Sequence, residues 1–215
     1  MARKKNKRSK KNPTAPGAAS GGGSGGGSYL KPSGPPIGKR VFQAGLAATA
    51  VAAAFFIWKS TQSVSAFEET AALGRAKLSS VITERDNGGG HYDAGSRGHF
   101  ADRLPTSGQH DLRWAEPGFH DASQNKGKLV HALEHGNVVI YYDKPGAETL
   151  AVLKRWSAMF VGQWSGLVVT PSAGLGEEII LAAWTKKLRL KPFDETAAAA
   201  FIDAFRGRGP ENPVR

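Results

Sequence analysis

His131, Glu134 and His135 fall within five consecutive positions of the stretch 129–142, LVHALEHGNVVIYY. If the segment is helical, the two imidazoles four residues apart share one face, and the carboxylate beside them can accept a proton or bind a cation. The pattern H-x-x-E-H is also that of the inverzincin proteases, in which two histidines hold zinc and the glutamate acts as base. Such a centre needs a third ligand, for which Glu177 and Glu178 are the downstream candidates, and an open position for water. Gly136 follows at once, however, and an apolar run that reads as a buried strand begins by Val138, so the long helix of that protease class is missing.

All six histidines of the chain lie between positions 91 and 135. His131 and His135, joined by His110 and His91 with Glu134 at hand, would form a nitrogen-rich set suited to copper(II), zinc or nickel. Cysteine is absent and Met1 and Met159 are the only methionines, which excludes thiolate ligation and a thioether-rich cuprous site. A structural role for the same residues is the competing reading. His131 would then cap a short helix or donate to a loop carbonyl, Glu134 would pair with Arg103 or Arg113, and His135 would stack on Trp114. In that case the domain is a binding or scaffold module without metal. Ser107 has His110 three positions on but no G-x-S-x-G elbow around it. The glycine runs at 21–28 and 88–90 lack the lysine and helix of a phosphate loop, and no dinucleotide fingerprint follows a strand.

These residues must be positioned by the segments around them. Residues 91–128 show no regular periodicity, carry Tyr92, Phe100, Trp114 and Phe119 among the histidines, and read as a long functional surface. After it, 138–142 predicts a short strand, 148–163 a helix with an apolar stripe, 166–171 and 178–184 two further strands, and 194–207 a helix capped by Asp194 and stopped at Gly207. The order strand, helix, strand, strand, helix predicts an α+β domain: a small sheet with helices packed on it beside a long His-rich irregular region.

Ahead of the domain the composition changes twice. Residues 1–40 hold ten of the 29 Lys and Arg and no acid, and with the repeat GGGSGGGS at 21–28 they read as a disordered basic tail. Without that tail, 19 basic groups face 18 acidic ones, so the net charge of +11 is no argument for a nucleic-acid-binding domain. Residues 41–58, VFQAGLAATAVAAAFFIW, contain one polar amide and no charge. As a helix they would extend roughly 27 Å, close to the hydrocarbon thickness of a bilayer. The positive charge on the amino-terminal side orients such a span with its amino terminus in the cytoplasm. A cleaved signal peptide ending near Ala66 is the alternative to a retained anchor, and both export the domain. Residues 59–85 would form a helical stalk, closed by the glycines of DNGGG at 86–90.

The segments Pro105-Thr106-Ser107-Gly108-Gln109-His110, Trp114, Gly118-Phe119, His131-Ala132-Leu133-Glu134-His135-Gly136 leading into the 138–142 strand, Ala183-Trp184 and the terminal helix over 201–210 together resemble the bacterial family catalogued as domain of unknown function 3105. The resemblance covers roughly residues 86–211. It implies one amino-terminal transmembrane segment and an exported domain, and no particular chemistry. The family pattern PPTSGPH is departed from at Leu104 and Gln109, which stand where prolines are expected.

The expectation is therefore a single-pass protein of the bacterial inner membrane. It has a cytoplasmic tail at 1–40, a bilayer contact through 41–58, a stalk at 59–85, an exported domain at 86–211 and a short tail at 212–215. The domain would carry a candidate metal set of His91, His110, His131, His135 and Glu134 for copper or zinc, or serve as a module for an envelope protein partner.

Overall fold

The computed structural model describes residues 37–93, 98 and 100–215. Two compact units divide between Leu46 and Ala47. Of the first, only the beginning of helix α1 (Ile37–Gly74) lies among the described residues, and the basic tail expected at 1–40 falls almost wholly outside them. The run 41–58 is helical within α1, but most of its side chains before Val51 are outside the described residues. Among the described residues no helix is long and apolar enough to cross a membrane, so the expected span is not met there.

The second unit, 47–215, is built on a six-stranded sheet in the order β1-β6-β5-β3-β4-β2. These strands are β1 (Ile82–Thr83), β2 (Gly118–Phe119), β3 (Val138–Tyr142), β4 (Leu167–Pro171), β5 (Ile179–Ala183) and β6 (Lys186–Leu190). β3 and β4 run parallel, and helix α3 (Ala147–Met159) makes the crossover between them that parallel strands require. β5 lies antiparallel on the other side of β3 and turns directly into β6. The mixed α+β architecture expected from the sequence is the one observed.

The central strand explains why its sequence is apolar at every position. Val138, Ile140 and Tyr142 enter one core with Leu153, Trp156, Phe201 and Ile202, while Val139 and Tyr141 enter a second with Leu129, Ala132 and Leu133. A strand buried on both faces reads as a continuous run rather than an alternation. Helices α1, α3 and α4 (Glu195–Phe205) cover the first face, and α2 (Lys126–Glu134) covers the second. Each large apolar side chain buried here contributes on the order of 1.5–3 kcal/mol.

Three boundaries differ from expectation. The stalk helix stops at Gly74, where a Cβ would overlap the backbone of Thr196, and Phe67 and Ala71 belong to the core rather than to a free connector. A 3-10 turn (Arg75–Ser80) and β1 then join the stretch before 86 to the domain. Residues 212–215, read as a tail, are pinned by Val214 N–H donating to Gly207 O (2.8 Å) and by Arg215 pairing with Asp203 (2.9 Å).

Candidate metal centre

Helix α2 is placed at both ends by side chains and glycine. The Asn125 side chain accepts from the amides of Gly127 (2.8 Å) and Lys128 (3.3 Å), which caps the first turn. At the other end Gly136, with φ +98°, lets its own N–H reach Leu133 O and that of Asn137 reach Ala132 O, the paired bonds of a Schellman stop. The helix therefore ends one residue before His135, and the inverzincin arrangement has no helix to stand on. Of the two third-ligand candidates Glu177 and Glu178, the second is also taken, held by Arg189 through contacts of 2.7 and 3.0 Å.

His131, in the last turn of this short helix, and His135, its C-cap residue, have ring centroids 4.6 Å apart. His91 and His110 are brought to the same place by backbone pairing between two loops. Gly108 N–H donates to Gly88 O (2.8 Å), His110 N–H to Gly90 O (3.0 Å), and Tyr92 N–H to His110 O (3.0 Å). The glycines that seemed only to stop the stalk are thus one side of a short parallel ladder. Gly89 lies so close to Glu134 that a Cβ would collide with its carboxylate. The ladder sets the His110 ring 5.2 Å from His91 and 4.8 Å from His131, with His91 and His131 5.0 Å apart.

The hydrogen bonds fix the tautomers. Nδ1 of His110 lies 2.9 Å from Gly108 O, and Nδ1 of His131 lies 2.7 Å from Asp111 O. A carbonyl oxygen can only accept, so each Nδ1 carries the proton and each neutral ring keeps its lone pair on Nε2. This is the outer arrangement that orients metal-binding histidines. Both rings are buried, His110 completely. Burial above all holds the pKa of His131 below the ordinary 6.5, and the neighbouring His110 and His91 push the same way against the Asp111 carbonyl. His135 is likewise lowered, first by burial and then by His131. Neutral imidazole is the form that binds a cation.

Two groups of three candidate ligands result: His91 with His110 and His131, and His131 with His135 and Glu211. Within each, one ligand atom per residue lies within 4.8 Å of the others. An ion centred among three such atoms would stand at most about 2.8 Å from each, so contraction to the 2.0–2.1 Å of a zinc–imidazole bond asks for less than about 1 Å per ring. The four histidines expected to form one set thus fall into two groups of three candidate ligands that meet at His131, the second completed by Glu211. Glu134 stands closest to His110 among the described histidines, its Oε2 3.0 Å from Nε2 but off the line of a hydrogen bond, and its charge also reaches His131 and His135. It pairs with neither Arg103 nor Arg113; Arg103 instead reaches Ser172 and the carbonyl of Ala173.

The described remainder of the irregular region serves the framework. Ser107 donates to Arg85 O and accepts from Asn87 N–H, and His120 turns its Nε2 to Glu116 O. His99 lies outside the described residues. His135 contacts Trp114 with ring centroids 4.9 Å apart, tilted by 48° rather than stacked as expected, and Trp164 at 4.1 Å, tilted by 33°.

Residues 91–215, more than half of the chain, match the family described as protein of unknown function (DUF3105). The chain belongs to this family. The DUF3105 match begins at the first histidine of the ladder and includes every residue of both three-ligand groups. Searches of the curated proteins and of the solved structures returned no match. Two members of the site, Trp164 and Glu211, escape sequence reasoning because neither lies near the histidines in the chain; the pair of glycines at 207 and 209 is the single trace of the close approach that brings Glu211 in.

Proposed function

We propose that this DUF3105 domain binds one transition-metal ion, copper(II) or zinc, through Nε2 of His110 and His131 with His91 as the third imidazole. The observation that carries this reading is the pair of Nδ1 hydrogen bonds to Gly108 O and Asp111 O, which leaves two buried Nε2 lone pairs beside a third, exposed imidazole. Three protein ligands and one open position suit an ion that is exchanged or delivered as well as one that acts on a substrate. The setting is a bacterial envelope, with the domain exported and held at the inner membrane by the apolar run 41–58. The charge asymmetry around that run supports this placement.

Metal analysis of the purified full chain in detergent tests the reading. Near-stoichiometric copper or zinc is expected, lost in the variant carrying His110→Ala with His131→Ala. A chain that stays metal-free after incubation with either ion overturns it. One observation favours a second reading, a scaffold module for an envelope partner. The same two Nδ1 bonds tie the loop at 108–111 to itself and to α2. Under that reading the double variant fails to fold even in metal-free buffer.

A further inference from the structure

His131 belongs to both three-ligand groups, yet it has one nitrogen to offer. Its Nδ1–H is committed to Asp111 O at 2.7 Å, so Nε2 alone can coordinate, and one lone pair serves one ion. The two groups therefore exclude each other as long as both use this ring. They also differ in character. The first is three imidazoles; the second replaces two of them by His135 and the carboxylate of Glu211.

The second group is built with as much care as the first. After α4 the chain turns back against the end of α2, where Gly207 N–H donates to Gly136 O (2.7 Å) and Glu211 N–H to Glu134 O (3.3 Å). Gly136 and Gly209 meet backbone to backbone, and a Cβ on Gly209 would overlap Glu134 O and Gly136 N. This contact sets Glu211 Oε2 3.2 Å from Nε2 of His135. The other nitrogen of that ring, Nδ1, is buried and has no hydrogen-bond partner among the described residues, in a residue only 2% exposed. Buried polar nitrogens are seldom left so, and an orphan inside a ligand group points to a missing cation or proton.

The geometry points to a second seat for the same ion, formed by His131, His135 and Glu211, with His131 as the ligand kept while the others are exchanged. This rests on the metal-binding reading above and adds a direction of travel. Each seat has two buried members and one exposed, His91 at one end and Glu211 at the other. An ion taken up at His91 passes to Glu211 by exchanging the nitrogens of His91 and His110 for a nitrogen of His135 and a carboxylate oxygen. Its oxidation state does not change, and the His131 bond persists. The harder carboxylate seat is the side from which a divalent ion is released.

Cobalt(II) binding by the full chain, read by its visible absorption, separates the seats. The unaltered chain is expected to take one ion at saturation. His91→Ala should still take one, with a changed spectrum, whereas His91→Ala combined with Glu211→Gln should lose at least the roughly 10- to 100-fold in affinity that removal of an outer partner alone would cost. Glu211→Gln by itself should keep the stoichiometry and slow release to a chelator. Two ions per chain would overturn the sharing of one ion through His131, and complete loss of binding in His91→Ala alone, or a double variant that binds as His91→Ala does, would overturn the second seat; each leaves the first intact. If the unaltered chain takes no cobalt, copper or zinc at all, the metal-binding reading falls and this inference falls with it.

Discussion

Gly209 lies against Gly136 with no room for a side chain on either, and the contact carries Glu211 to within 3.2 Å of His135. Gly209→Ala is therefore expected to destabilise the domain by about 1–3 kcal/mol, the usual cost of forcing a methyl group into a filled space. Urea unfolding followed by circular dichroism would measure it. Glu211→Ala should leave the midpoint nearly unchanged, because its pairing is with solvent in reach.

Acidification should unfold the metal-free chain through two particular rings. The folded-state pKa values of His131 and His135 lie below the ordinary 6.5, so between those values the unfolded chain binds protons that the folded one does not. Stability is then fully present above pH 6.5 and falls as the pH drops through the folded values. Melting temperatures between pH 7 and pH 5 should show this slope, and His135→Gln should make it shallower. A slope unchanged by the substitution would count against the assignment.

Glu134→Gln separates charge from shape at the deepest histidine. The amide keeps the fit against Gly89 but takes the negative charge from beside Nε2 of His110. Copper or zinc affinity is expected to weaken by about 10- to 100-fold with the fold retained, as measured by competition with a chelating dye.

Legibility in the sequence was uneven, and particular residues show why. Strands β3, β4 and β5 stand out because they are buried on both faces and almost wholly apolar, with Thr170 the polar exception in β4. β6 is not legible as a strand, since its sequence, KKLRL, alternates charge with leucine and hides a lysine that is nearly buried. Lys187 is acceptable there because Glu84 and Asp102 each approach it at 2.6 Å, a fact of distant loops that periodicity does not encode. At the site, His131 and His135 were paired by helical spacing alone. The meeting of His91 with His110 depends on a backbone ladder among glycines, which has no side-chain pattern, and Glu211 arrives through a contact some 75 residues from its partner in the chain.

That buried lysine supplies a further test. Burial pushes the Asp102 carboxyl up, but the Lys187 ammonium and nearby backbone amides together hold it below the usual carboxylate range. Lys187→Met would leave Glu84 and Asp102 facing each other without a cation. The cost should be about 2 kcal/mol, below the 3–5 kcal/mol of a fully enclosed pair because both acids reach solvent. Hydrogen exchange should show β1 opening first, as Thr106 shares Glu84 with the lysine at 2.7 Å.

The sheet also acts as a partition. Phe67 and Ala71 of α1 pack on one face, whereas α2 and its histidines stand on the other, with a close-packed layer of strands between them. If the domain exchanges a metal ion as proposed, a molecule meeting His91 or Glu211 would approach the face opposite Phe67 and Ala71 and need not displace that part of α1 to reach it.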